Sequence, residues 1–436
     1  MQADYKKSQK KAYIICVDDE KFVLDSLLSQ LQNKFKDSYE YEIAESGEEA
    51  LEIIKDIYEE GNIVALIITD QLMPRMTGDE VLIKIHSLYP KPIKLLLTGQ
   101  ATLESAINAI NNANLFSYLR KPWDEEGLLL AVEKGLTQHR LLENLENQVA
   151  TFRKFVPRQF LEMLLIKEFD NIEPEIVKNL ELSILFCDII GYSTLSELLT
   201  PEQIFNLLNR YFNKINPIIE HNQGFIDKFL GDGIIALFKE LPQYAVQAGI
   251  EILKILDEFN EVIIKEGLQP IVVGIGINTG QVVLGTLGTK DRIDDTAIGD
   301  AVNVASRIES LNRIYNTKLL ITGDVLSKLP STEQFKIRFI DKVKVIGKSK
   351  ITELYEVFDA DSLDQQSYKL SIQVHMEKAC QLYQSKDFFA AQKLFVQCLE
   401  QKPSDQLLLL YIERCKNFIA NGCPEAWDGA TICMVK

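Results

Sequence analysis

A chain of 436 residues is too long for one ordinary core and implies roughly two to four domains of ~100–200 residues each. Hydrophobic residues make up 46% and charged residues 25%, the composition of a soluble globular protein, and a net charge of −16 argues against a nucleic-acid partner, which would need a basic face. The seven cysteines (Cys16, Cys187, Cys380, Cys398, Cys415, Cys423 and Cys433) are odd in number and show no CxxC spacing, which speaks against a disulfide framework or a zinc site. No apolar run reaches the ~20 residues of a membrane helix, and the lysine-rich start lacks the apolar segment of a secretory signal. The expectation is a cytoplasmic protein with no membrane insertion.

From Tyr13 apolar strands alternate with amphipathic helices: AYIICVDD, VALIITD, KLLLTG and NLFSYLRKP are four such runs. This alternation predicts a parallel sheet covered on both faces, with the ligand beyond the carboxyl ends of the strands. Asp18, Asp19, Asp70, Thr98 and Lys121 all fall there. Carboxylates gathered at one sheet edge repel each other, so a divalent cation or a lysine must compensate. Any one of these residues alone reads as a solvated edge, but the five together do not.

Residues 12–137 resemble the receiver domain of bacterial response regulators, a flavodoxin-like, doubly wound parallel sheet. The resemblance implies that Asp18 and Asp19 hold Mg²⁺ and that Asp70, in TDQLMPRMTG, accepts a phosphoryl group. It further implies that Thr98 follows the phosphate, that Tyr118 is the switch aromatic and that Lys121 pairs with the phosphate. A cognate histidine kinase or phosphotransfer protein of a two-component phosphorelay is the implied partner. Asp70 would act as a carboxylate nucleophile, and the added charge would bias a two-state surface.

Residues 138–178 read as a helical connector. Leu142, Leu145, Val149 and Phe152 recur at alternating three- and four-residue steps, a seam suited to a parallel coiled coil that dimerises the chain. Pro157 stops or kinks the helix.

Residues 179–360 mix strands and helices. LSILFCDII is a strand ending at Asp188, with Ser193 or Thr194 expected to cap a helix that opens near Pro201. GFIDKFLGDGIIALF is a hairpin turning at Gly231-Asp232-Gly233. PIVVGIGINTGQVVLGTLG reads as two strands around Asn278-Thr279-Gly280. In DAVNVASRIESLNRIY the residues Asn303 and Arg307 are four apart and share a helix face. If the two strands pair antiparallel, Asp188 and Asp232 meet and offer oxygen ligands for metal. Taken alone, Asp232 could equally fill an ordinary Gly-Asp-Gly turn.

FCDIIGYS, DKFLGDG, GIGINTGQVVLG and TAIGDAVNVASRIE resemble, in order and spacing, the catalytic domain of class III nucleotide cyclases. The resemblance implies a ferredoxin-like α+β domain acting as a homodimer with sites at the interface. Two Mg²⁺ (or Mn²⁺) ions would be held by Asp188, Asp232 and the backbone of Ile189. Lys228 and Thr296 would read the purine, and Asn303 and Arg307 would steady the ribose and the transition-state phosphate. Adenine offers an N1 acceptor and an N6 donor, which suit an ammonium and a hydroxyl, whereas guanine N1–H would be left unpaired by Lys228. ATP is therefore the expected substrate and an adenylate cyclase the expected enzyme, with a guanylate cyclase or a silent cyclase-like dimerisation module as alternatives. One position departs from the family pattern: Ile346 stands where a lysine is expected to meet the triphosphate. Lys344 and Lys348 are the candidate substitutes, and Lys290 and Arg292 are further candidate phosphate contacts.

Residues 366–436 read as an α-helical tail resembling one tetratricopeptide-like helix pair. A single unit buries little core alone, so it is expected to pack on the cyclase domain. The final NGCPEAWDGATICMVK is expected to be irregular, with Trp427 as an anchor.

Overall fold

The computed structural model describes residues 10–99, 110–152, 157–164, 177–289, 293–345 and 351–433. The chain divides into two compact units, Met1–Lys154 and Phe155–Lys436.

In the first unit the strands β1 (Ala12–Val17), β2 (Glu40–Ala44), β3 (Ile63–Asp70), β4 (Ile93–Thr98) and β5 (Ser117–Arg120) form one sheet in the order β2-β1-β3-β4-β5. Every pairing is parallel. The helices are α1 (Lys21–Phe35), α2 (Gly47–Glu59), α3 (Gly78–Leu88) and α4 (Glu125–Phe152). The apolar runs of the strands divide by alternation, as a sheet covered on both faces requires. Ile15, Val17, Ile67 and Leu96 pack under α2 and α3, while Ile14, Cys16, Ile68 and Leu97 meet Leu24, Leu27 and Leu31 of α1 and Leu128 and Val132 of α4. Ser46 and Thr77 cap α2 and α3. Helix α4 runs unbroken across the expected 137/138 boundary, and its seam residues Leu142 and Leu145 are exposed.

The second unit opens with α5 (Arg158–Leu164) and β6 (Val177–Ile189). It continues through α6 (Tyr192–Leu198), α7 (Pro201–His221), the hairpin β7 (Gly224–Leu230) and β8 (Gly233–Phe238), and α8 (Pro242–Lys265). Then come β9 (Val273–Gly288), β10 (Ile293–Ile298), α9 (Asp300–Tyr315), β11 (Leu319–Thr322), α10 (Gly323–Leu326), β12 (Ile337–Val345) and β13 (Ile351–Val357). The sheet runs β14-β12-β13-β11-β9-β6-β8-β7, with β10 paired to β9 and β14 (Thr431–Cys433) at one edge. Helices α7 and α8 cover one face, and α5 buries Phe160, Leu161 and Leu164 against the other.

Two sequence expectations are corrected here. PIVVGIGINTGQVVLGTLG contributes one strand, not two: β9 is continuous over 16 residues and pairs with β6 from Val273 opposite Ile189 to Gly285 opposite Val177. Its glycines serve close approach by α9, and the Asn278 side chain bonds the Ala301 carbonyl (3.0 Å) and the Thr322 hydroxyl (2.8 Å). The cap before Pro201 is Thr200, in a reciprocal box with Gln203, and neither Ser193 nor Thr194 fills that role.

The tail has three helices, α11 (Leu363–Gln384), α12 (Phe388–Gln401) and α13 (Gln406–Asn421), more than the single pair expected. They share a core with Ile308, Leu311 and Tyr315 of α9 and with Ile340 and Val343 of β12. Buried Asp341 accepts hydrogen bonds from Tyr315 (2.7 Å), Arg414 (2.7 Å) and Thr431 (2.8 Å), so one carboxylate ties α9, α13 and β14 together. Trp427 packs on Tyr383, Phe388 and Phe418, and the segment after it is strand β14, parallel to β12.

Candidate functional site

In the first unit the carboxyl ends of four strands deliver the expected group. Oxygens of Asp18, Asp19 and Asp70 lie within 4.8 Å of one another, and the Lys121 ammonium is 2.7 Å from Asp18 Oδ2 and 2.6 Å from Asp70 Oδ1. Burial pushes the Asp18 carboxyl above its usual range against the pull of Lys121 and the Glu20 N–H. Burial works against the charge on Lys121, but its bonds to Asp18 and Asp70 outweigh this and raise its pKa. Three carboxylates facing one lysine leave an excess of negative charge, so the donor set fits a divalent cation. The Thr98 hydroxyl is buried without a partner among the described residues, beside Asp70 on the neighbouring strand and free to meet a new acceptor. Tyr118 lies on β5, 56% exposed. Sequence reasoning missed the brace under the loop after Asp70: Gln71 and Thr77 both donate to Asp79 Oδ1, at 2.8 and 2.7 Å.

In the second unit β6 and β8 pair antiparallel, with Cys187 opposite Ile234. Asp188, near the end of β6, thereby meets Asp232 in the tight turn Gly231-Asp232 between β7 and β8. Gly233 keeps this corner open, since a Cβ there would fall 2.8 Å from Asp188 Oδ1. Burial, then the Asp188 charge and hydrogen bond, push the Asp232 carboxyl up to about 6. Helix α9 adds two groups that sequence reasoning missed, four residues apart on its Asp188 side. Arg313 donates to Asp188 Oδ2 at 3.3 Å, and Glu309 is pushed up to about 7 by burial and by Asp188. Glu309 Oε1 is buried without a partner among the described residues, in space that Gly274, opposite Asp188, leaves free. Asp188 and Asp232 form a carboxylate pair that fits a divalent metal, but unlike the three aspartates of the first unit they do not make a set of three ligands with Glu309.

Lys228 lies on β7 with Asp227 beside it, and Thr296 lies on β10, which packs against β7. Burial raises Asp227 to about 7 and raises Asp295, and the Lys228 charge pulls both back. Asp227 and Asp295 are also additions to the sequence reading, detectable only as charges inside apolar strands. Asn303 is exposed on the first turns of α9, and Arg307 is half-buried one turn on. Lys344, a candidate for the triphosphate, is held by Asp428 at 2.5 Å. Ile346, Lys348, Lys290 and Arg292 lie outside the described residues.

In sequence order, then, a parallel sheet with an acidic, lysine-bridged edge is followed by a mixed sheet with a paired-carboxylate corner. Residues 14–133 match the response regulator receiver domain, and residues 176–357 match the adenylate and guanylate cyclase catalytic domain. The chain thus carries a receiver domain and an adenylate and guanylate cyclase catalytic domain over those residues. A protein of Anabaena cylindrica named adenylate cyclase is 44% identical over 219 residues, 49% of this chain and 44% of that one. The terminal-differentiation specific adenylate cyclase of Dictyostelium discoideum is 32% identical over 280 residues, 63% of this chain and 13% of that one. The chain thus spans less than half the length of these curated relatives. Among solved structures, the guanylyl cyclase Cya2 is 33% identical, with 41% of this chain and 92% of that one covered and a TM-score of 0.38. No helix among the described residues is long and apolar enough to cross a membrane.

Proposed function

We propose that the chain is an adenylate cyclase that converts ATP to 3′,5′-cyclic AMP and pyrophosphate as a homodimer, under control of aspartyl phosphorylation at Asp70. The observation that carries this reading is the meeting of Asp188 and Asp232 at one corner of the sheet, with burial and mutual charge holding Asp232 up to about 6. That corner is poised for a counter-charge. Asp188, Asp232 and the backbone of Ile189 would hold two divalent ions. When bound, these supply charge for the triphosphate and a lower pKa for the ribose hydroxyl.

The ribose 3′-oxygen forms a bond to the α-phosphorus, the bond from that phosphorus to the bridging oxygen breaks, and pyrophosphate leaves with the electron pair. The hydroxyl proton is lost to solvent. Arg307 and Asn303 steady the charge and the sugar as this happens, a matter of position and electrostatics. Lys228 donates to adenine N1, and Thr296 accepts from N6.

The proposed site needs a second subunit, and the neighbourhood of Lys228 supports one. Phe229, Leu230, Leu287 and Ile298 are 57%, 50%, 61% and 54% exposed in the single chain. In the receiver, Asp70 would take a phosphoryl group from a histidine kinase or phosphotransfer protein, with Lys121 and Mg²⁺ at Asp18 and Asp19 balancing its charge.

The test is incubation of the purified full chain with ATP or GTP, with Mg²⁺, Mn²⁺ or chelator. Cyclic AMP formed with metal, lost with chelator and lost in Asp188→Asn is the expected result. Cyclic GMP as the main product would favour the guanylate cyclase reading, and no product from either nucleotide would refute the activity.

A further inference from the structure

Asp227 is the extra residue of a bulge in β7. Ile226 stands opposite Ala236 and Lys228 opposite Ile235, and the register shifts between them. The bulge changes the face that Lys228 occupies. Ile226 and Ala236 belong to the core under α7 and α8, whereas Ile235 belongs to the cluster on the opposite face. Residues directly opposite in paired strands share a face, so Lys228 lies with Ile235. One residue later Phe229 is back on the helix side, 4.8 Å from the Phe212 ring. Strict alternation through Asp227, with no bulge, would aim Lys228 into the α7/α8 core. Bulges of this kind re-aim a side chain, and the side chain here is Lys228.

Two acceptors remain unexplained beside it. Asp227 Oδ1 and Asp295 Oδ2 are both buried without a hydrogen-bond partner among the described residues. Asp227 adjoins Lys228 in β7, and Asp295 lies on β10, which packs against β7. The Lys228 charge reaches both carboxyls, and that of Asp295 reaches Asp227, yet among the described residues Lys228 forms no ion pair with either in the single chain. Buried acceptors without donors are rare and costly. Neither group belongs to the metal corner or to the phosphate contacts proposed for this site.

We propose that Asp227 and Asp295 are positioning residues for base recognition: when nucleotide binds, their unpartnered oxygens take up the Lys228 ammonium from behind, restricting the purine to one with an amino donor beside a ring-nitrogen acceptor. This rests on the reading of Lys228 as the base-contacting residue. Adenine has that edge, with N6 beside N1. Guanine offers an acceptor at O6 and a donor at N1, so a lysine fixed by two carboxyls meets it out of register. The bulge supplies the direction of Lys228, and the carboxyls supply its restraint.

The experiment compares binding of 3′-deoxy-ATP and 3′-deoxy-GTP, which lack the attacking hydroxyl, to the full chain with Mn²⁺. The variants are Asp227→Asn, Asp295→Asn, Lys228→Met and the Asp295→Asn/Lys228→Met double variant, with ATP and GTP turnover measured in parallel. Each aspartate variant is expected to weaken 3′-deoxy-ATP binding roughly tenfold, about the effect of one charged hydrogen bond, with 3′-deoxy-GTP little changed. In the Lys228→Met background, Asp295→Asn should add less than about twofold, since coupled residues are not additive. Equal losses for both nucleotides, or a full additional loss in that background, would overturn the proposal and leave the carboxyls a structural role. Asp295→Asn carries the test if Asp227→Asn disrupts the bulge and fails to fold. A wild type that binds the ATP analogue but turns over neither nucleotide refutes the proposed activity while the binding arm still decides this point.

Discussion

Replacing Gly276 by alanine isolates the packing of the helix that carries Asn303 and Arg307. A Cβ at Gly276 would fall 2.3 Å from the Glu309 nitrogen, 2.7 Å from the Ala305 carbonyl oxygen and 2.7 Å from Glu309 Cα. All three atoms are backbone, so no rotamer change relieves the contact. Non-bonded heavy atoms rest about 3.5 Å apart, so α9 must withdraw from β9 by roughly 1 Å. That movement also strains the bonds Asn312 Nδ2 to Ile275 O and Asn278 Nδ2 to Ala301 O, each 3.0 Å. Overpacking of this sort costs about 1–3 kcal/mol, and a ~1 Å misplacement of positioned groups costs on the order of 10²-fold in rate. With Mn²⁺-ATP the variant should therefore lose turnover by about two orders of magnitude while remaining folded by circular dichroism, with its melting point lowered by only a few degrees. Gly323→Ala is the control, because its Cβ would meet nothing nearer than 3.5 Å. A Gly276→Ala enzyme with turnover within about threefold of wild type would refute the argument that α9 is held in register by this contact.

Three further outcomes are expected. Acetyl phosphate should add one phosphoryl group to the wild type and change its cyclase rate, and Asp70→Asn should abolish both effects. A rate change that persists in Asp70→Asn would mean that the receiver is not the switch. Lys94 is buried, bonded to the Pro90 and Pro92 carbonyls, and burial lowers it from 10.5 to about 8. Its folded pKa lies below its unfolded one, so between about pH 8 and 10.5 the unfolded chain binds more protons. The cost of burying the charge, on the order of 3 kcal/mol, applies in full below pH 8 and is relieved as pH rises through that window. Urea unfolding of the receiver, followed through Trp123 in a Trp427→Phe background, should show this pH slope in wild type and lose it in Lys94→Met. Finally, Asp428→Asn releases Lys344 from its ion pair. If Lys344 serves the triphosphate, the KM for ATP should fall several-fold, and an unchanged KM would remove it from the candidates.

The receiver was legible because a parallel sheet buried on both faces writes its strands as unbroken apolar runs, with site residues at their ends. Asp18, Asp70, Thr98 and Lys121 could be placed before any pairing was known. The second unit is different, since its antiparallel strands depend on partners distant in sequence. Asn278-Thr279-Gly280 has the local chemistry of a turn, yet 13 residues of β6 hold it straight and Asn278 spends its amide on α9 and Thr322. Asp227 could not be recognised as a bulge, because its register is defined by Ala236 and Ile235 on the next strand. Glu309 and Arg313 carry no signal in the sequence that sets them apart from helix-surface charges, and only the seat of α9 across Gly274 and Gly276 brings them to Asp188. The third tail helix was hidden in the apolar run QLLLLYI, whose length suits a buried strand or a buried helix equally.

The two candidate sites resolve the same electrostatic problem in different ways. Lys121 stands between Asp18 and Asp70 at 2.7 and 2.6 Å, so phosphorylation of Asp70 would redistribute a cation already in place and leave Asp18 to a metal ion. At the cyclase corner the cation, Arg313, is a weaker partner, 3.3 Å from Asp188 with half its side chain in solvent. Burial and then the Asp188 charge raise Asp232 to about 6 and Glu309 to about 7, and the pull of Arg313 does not offset them. A cation held by Asp188 and Asp232 would favour the charged forms of these carboxyls. The proposed base-reading side differs: Lys228 has the buried Asp227 and Asp295 near it but no ion pair with either, and what the side lacks is cover, since Phe229, Leu230, Leu287 and Ile298 face solvent in the single chain. In the proposed dimer, closing that apolar surface and charging the acidic corner are separate events, so a signal that changes subunit geometry can set turnover without touching either metal aspartate.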